Sequence, residues 1–180
     1  MPDTKLYDDF ETTLQNGLIK VCQSYGYLKD GLMESPDIEA KWDDYIKDYV
    51  ADAVSNFNEY PQAALSWAGF LGMGVAYAWD KDWKEYETKP YSFYYGSRKW
   101  DDMDDHILNE FINYPQEQRQ KLYDLMDSMA SACLGLIRHQ GIEAQTADGF
   151  YCLVRAFSVF YRIGASLELE RLAYKKVVVS

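Results

Sequence analysis

Between Ala63 and Trp79 the chain reads AALSWAGFLGMGVAYAW, seventeen residues without a charge, and this run limits what the rest can fold into. It follows Tyr60-Pro61. A residue before proline is steered out of the α conformation, whereas proline suits the first helical position, where its missing N–H has no partner to lose. A helix therefore starts at Pro61. The run is shorter than the roughly 20 apolar residues of a membrane span, so it reads as the buried central helix of a bundle. Ala64, Ala68, Gly72 and Ala76 recur along it at i+4 spacing, a stripe of small side chains that lets a second helix backbone approach closely. Glycine inside a helix costs about 1 kcal/mol relative to alanine, so Gly72 predicts packing that offsets the cost.

Apolar spacings of three and four place further helices around this one. Leu6 to Tyr25 makes the first, with Asp3 or Thr4 as cap and Gly26 as stop. The second starts at Ser35 and Pro36, with Asp37 and Glu39 suited to its positive end, and buries Ile38, Trp42, Ile46, Tyr49, Ala53 and Phe57. Residues 80–99 read as a long connection with one extra helical turn. A fourth helix is expected from a Ser97 cap through Met103, Ile107, Leu108 and Phe111, a fifth from Gln116 to His139, and a sixth from a Thr146 cap through Phe150, Leu153 and Phe157 to about Tyr174. The small stripe is expected to pack against the fifth or sixth.

Two segments look like copies. Trp42-Asp43-Asp44 leads to Phe57, Tyr60, Pro61 and Gln62, and Trp100-Asp101-Asp102 leads to Phe111, Tyr114, Pro115 and Gln116. The second is four residues shorter, close to one helical turn, so a duplicated αα-hairpin is a candidate. The expected fold is an all-α, single-domain bundle of about six helices spanning residues 1–180, two αα-hairpins flanked by a first and a last helix.

The formal net charge of −11 is uneven: 13 Asp and Glu face 5 Lys within residues 1–60. Such a surface repels phosphate backbones, so no nucleic-acid partner and no membrane partner are expected, and a basic partner surface is favoured. The amino terminus lacks a basic segment followed by an apolar block, and Cys22, Cys133 and Cys152 lack CxxC spacing. A cytoplasmic protein with reduced thiols is the expectation.

The Asp-Asp-x-x-Asp of Asp101, Asp102 and Asp105 resembles the metal-binding box of terpene synthases, over five residues and with no match to that family's second box. More broadly, Asp44, Asp48 and Asp52 share one helical face, and Asp102, Asp105 and His106 crowd the start of another. Facing carboxylates in this style bind Mg²⁺ or Mn²⁺ in all-α nucleotide pyrophosphohydrolases, although that family's Glu-x-x-Glu and Glu-x-x-Asp signatures are missing. Carboxylates in a first helical turn also interact favourably with the macrodipole, which makes a solvated acidic face the simpler reading. No cofactor is otherwise expected, and nucleophile motifs and phosphate-cradling glycine loops are absent from the sequence.

Trp83, Tyr91, Phe93, Tyr94 and Tyr95 in the connection are candidates for a partly exposed partner-binding patch, the alternative being a loop folded back over the bundle end, since aromatic side chains gain from burial. Tyr151, Arg155, Ser158 and Arg162 form a polar stripe on an otherwise apolar helix. The two arginines are expected to pair with Asp44, Asp48, Asp52, Asp102 or Asp105, the alternatives being a stripe that simply faces solvent and a pair that holds an anionic ligand. The functional expectation is a protein-binding module, adaptor or immunity-like, with enzymatic activity disfavoured but left open. The alternatives are a small metal-dependent hydrolase and a small-molecule binder with an aromatic-lined pocket.

Overall fold

Pro61 opens a 26-residue helix, and Pro115 stands immediately before one of 24 residues, so both Tyr-Pro breaks act as their chemistry requires. The computed structural model describes residues 3–33, 35–143 and 145–174, and among them every regular element is helical. The order is α1 (Thr4–Ser24), α2 (Pro36–Asn56), α3 (Pro61–Tyr86), α4 (Tyr91–Tyr95), α5 (Met103–Asp105), α6 (Gln116–His139) and α7 (Ala147–Arg171). Short 3-10 turns (Gly96–Arg98, Trp100–Asp102) lead into α5, which passes directly into a π-helical turn (His106–Phe111). Asp3 caps α1 by accepting from the Leu6 N–H at 3.1 Å, and Thr146 caps α7 by accepting from the Gly149 N–H at 3.0 Å. No described helix is long and apolar enough to cross a membrane.

The close approach that the small stripe requires is made with α7. A Cβ on Gly72 would overlap the Tyr161 carbonyl oxygen, and one on Gly164 would overlap the Gly69 carbonyl, so here the two backbones touch. Gly69 meets Phe160, Gly72 meets Tyr161 and Ala165, and further on Asp80 accepts from the Tyr174 hydroxyl at 2.6 Å. The contacts advance together, which means α3 and α7 run in the same direction. The same holds for α1, where Tyr7 reaches Asp148 and Gln15 reaches Arg162. In contrast α2 runs against α7, with the Tyr161 hydroxyl donating to Ile38 O and Tyr49 packing on Phe157. So does α6 against α1, with Tyr25 on Ser128 and Cys22 on Met129. Three helices point one way and two the other, with α7 at the centre.

Residues 100–111 depart from the expected regular helix. Lys99 has φ of 69°, which breaks the chain after Ser97, so Ser97 caps nothing, and the following residues take 3-10, α and π geometry in turn. The two candidate copies therefore share a break but not a helix: Tyr60 is 56 % exposed, whereas Tyr114 is 4 % exposed and lies 5.4 Å under the Arg171 guanidinium. α3 also ends unexpectedly. Asp82 steps into extended backbone and its carboxylate accepts from the Glu85 N–H at 3.3 Å, giving the last turn its own cap.

One buried charge stands out. Glu168 is 0 % exposed on α7 and takes a bidentate pair from Arg171, both bonds 2.6 Å. Burial pushes its carboxyl above the ordinary value, and Arg171 pulls it back.

Candidate functional site

The proposed metal ligands are not gathered. Asp44 is exposed and pairs with Lys41 at 3.1 Å, and Asp48 is exposed on the same face. Asp52 accepts from the Tyr91 hydroxyl at 3.0 Å, its carboxyl raised by burial. Asp102 and Asp105 are half-buried, one the N-cap and the other the last residue of α5. His106 has both ring nitrogens engaged, Nδ1 at 2.6 Å from Glu110 and Nε2 at 3.0 Å from the Phe93 carbonyl, so it ties α4 to the π turn. Among the described residues no group of three or more His, Cys, Asp or Glu side chains is placed to hold a metal ion. The thiols are inert in the same sense: Cys22, Cys133 and Cys152 are free and buried, and burial pushes Cys22 and Cys133 up to about 12.

The aromatic connection is folded back on the bundle and only partly exposed. Tyr91 and Tyr94 are buried, while Trp83, Phe93 and Tyr95 are half-buried and pack on the core. Phe93 and Tyr94 meet Phe111 edge-on at 5.2 and 6.0 Å, and the Tyr45 hydroxyl donates to Lys89 O at 2.6 Å. The rings gain more from burial and edge-to-face packing than from solvent, and the segment becomes a strap over α2 and α3.

Both arginines of α7 are paired, but with α1 in place of the acidic α2 and α5. Arg155 donates to Asp8 at 2.6 Å and lies 3.5 Å from Glu11, and Arg162 reaches Glu11 at 3.4 Å and Gln15 at 2.8 Å. The parallel run of α1 beside α7 decides this, because it brings Asp8, Glu11 and Gln15 past the stripe at matching intervals. Ser158 belongs to the other side, where it accepts from the Trp42 indole at 2.6 Å.

What the fold leaves open lies at the end of the bundle where α2 stops and α3 and α7 start. A groove of about 580 Å³ opens there. Val54 and Phe57 come from the last turn of α2 and its C-cap, Leu134 and Ile137 from α6, and Phe150 and Leu153 from α7, with Ile142 on the connecting loop. Its polar groups come from Asn58, Arg138, Glu143, Gln145 and Thr146. The loop is tied down by Thr146, whose hydroxyl donates to Glu143 O at 2.7 Å while capping α7. Gly149 makes this contact feasible, since a Cβ there would strike that same carbonyl. Phe150 thus sits on a fixed turn yet is 41 % exposed.

A second cleft of about 430 Å³ adjoins the groove, sharing Pro61 and Leu134 as a common wall. Its aromatic lining is Tyr60, Trp67 and Tyr123. The polar atoms of two of these are used inside the fold: the Trp67 indole donates to Trp100 O at 3.0 Å and the Tyr123 hydroxyl to Asp104 at 2.6 Å, leaving ring surface for the cleft. Glu59 and Asp127 stand at its edge, exposed and without a side-chain partner among the described residues. Ser66 lines it too, 3 % exposed, with an Oγ that has no hydrogen-bond partner.

No family model, curated protein or solved structure matches the chain, so the chemistry of these surfaces has to speak for itself. Sequence periodicity puts Phe57 on the buried face of α2 and runs the last helix through Phe150, yet Phe57 is only half-buried and Phe150 is exposed. The signal it passed over is position: each sits at a helix terminus, where an element runs past its neighbours and its apolar face loses cover.

Proposed function

We propose that this chain is a protein-binding module, adaptor or immunity-like in kind, which docks its partner at the groove end of the bundle. One observation carries the reading. Of the five exposed large hydrophobics among the described residues, Val54 and Phe150 line the groove, Tyr60 lines the adjoining cleft, and Tyr151 stacks edge-on against Phe150 at 5.5 Å. Singly scattered apolar side chains need no explanation, whereas a contiguous patch of them, rimmed by polar groups, is what interaction surfaces look like.

A second reading, small-molecule binding in an aromatic-lined pocket, is favoured by the cleft, whose size falls within the roughly 300–1,000 Å³ of ligand sites. One experiment separates the two. A photoreactive benzoylphenylalanine in place of Phe150 cross-links a protein in extracts of the source cells, and the same probe at Lys47, on the exposed side of α2, does not. Equal yields from both positions would remove the groove as a docking surface, and no protein adduct from either would favour the small-molecule reading.

A further inference from the structure

We infer that the cleft beside the groove receives a lysine or arginine side chain of the docked partner, so that the partner's contacting segment is a basic amphipathic helix. The inference rests on the protein-binding reading and names the chemistry of its partner. Three features of the cleft converge on a cation. Tyr60, Trp67 and Tyr123 offer ring surface, which attracts ammonium and guanidinium groups through the negative face of the ring. Glu59 and Asp127 flank it with two carboxylates that no cation of the described residues neutralises, and no Lys, Arg or His lines the cleft. Ser66, in the wall of the cleft, has a buried Oγ without a partner, whose lone pairs can accept an N–H.

One feature opposes a cation. The N-terminal pole of α3 opens here at Pro61, worth roughly half a positive charge. Two full negative charges outweigh it, and the overall charge of −11 adds attraction at longer range. The shared wall of Pro61 and Leu134 sets the arrangement of the partner: an apolar anchor in the groove and a cation next to it, as on one side of an amphipathic helix laid across both.

Two designed helical peptides test this, one with a leucine face flanked by lysines and one with the same leucines flanked by glutamines, each titrated by fluorescence anisotropy. The lysine peptide binds the parent protein more tightly. The double variant Glu59→Gln, Asp127→Asn weakens the lysine peptide about fivefold and leaves the glutamine peptide unchanged. A matching neutralisation on the far acidic face, Asp44→Asn with Asp48→Asn, has no comparable effect. The inference is overturned if the cleft variant binds both peptides like the parent, or if the distant pair weakens the lysine peptide as much, which would mean only long-range attraction to an acidic protein. The docking reading has its own readout: Phe150→Ser weakens both peptides. If it does so while the cleft variant is silent, the groove stands and the cation fails, and if neither peptide binds, both fail.

Discussion

The pair α3 and α7 is closed along its middle and open at its start, and the contrast is one of side-chain volume. At Gly69, Gly72 and Gly164 there is no Cβ on one side of each contact, so the backbones meet and water has no way in. Nearer their starts, Pro61 of α3 and the exposed Phe150 of α7 both line the groove. Interiors pack to crystal-like density, so the closed part tolerates almost no added volume, while the open part has room to give. The closed part holds the molecule together, and the open part leaves the groove.

Substitution at the closed part should have the largest effect. Gly72→Leu drives a side chain into the Tyr161 carbonyl, which cannot yield as a flexible side chain would, and costs about 3 kcal/mol or more in urea unfolding. A variant that unfolds like the parent would show that the backbones are not in contact. Next comes Arg171→Met, which leaves the buried Glu168 carboxylate without its partner and should cost about 2 kcal/mol at neutral pH, less than a fully buried pair because Arg171 is partly exposed. A carboxyl whose folded pKa is raised contributes stability that is fully present below its unfolded value and lost as pH rises through the folded one. The deficit of the variant therefore shrinks as pH falls towards 4.5, the ordinary glutamate value, and urea midpoints measured across that range check the sign. The smallest effect belongs to the open part: Phe150→Ser should change stability by less than about 1 kcal/mol, and a larger loss would place Phe150 in the core after all.

These contrasts also mark where the sequence was readable. Periodicity located the long helices, and the i+4 stripe foretold a close approach, because both signals depend on neighbours along one helix. Gly69 and Gly164 complete that approach and were passed over, since each matters only through the backbone opposite. The preference of aromatic rings for burial made a connection folded back on the bundle readable, but not that Tyr91 and Tyr94 are the rings it covers most, as no local pattern tells a ring which side of a strap is covered. The arginines show the divide most plainly. Charge alone predicted ion pairs for Arg155 and Arg162, but the choice of Asp8 and Glu11 over the denser aspartates of α2 and α5 followed from α1 lying alongside α7. Nothing in the residues around His106 to Phe111 announces a π turn, and the groove is a property of helix ends that only the assembled bundle brings together.

The parallel seating of α3 against α7 has a consequence for how the chain is made. About sixty residues separate the end of α3 from the start of α7, and at 5–20 residues per second the ribosome needs about 3–12 s to supply them. For that interval the most apolar helix of the protein is outside or nearly so without its mate, its glycine track uncovered. α2 can shield one side of it meanwhile, through the Tyr49 hydroxyl on Ala64 O, but the side that Gly69 and Gly72 present must wait. Slowed translation between residues 87 and 146 should therefore lengthen the period in which a holding chaperone is needed, and the yield of folded protein becomes a matter of timing as well as of sequence.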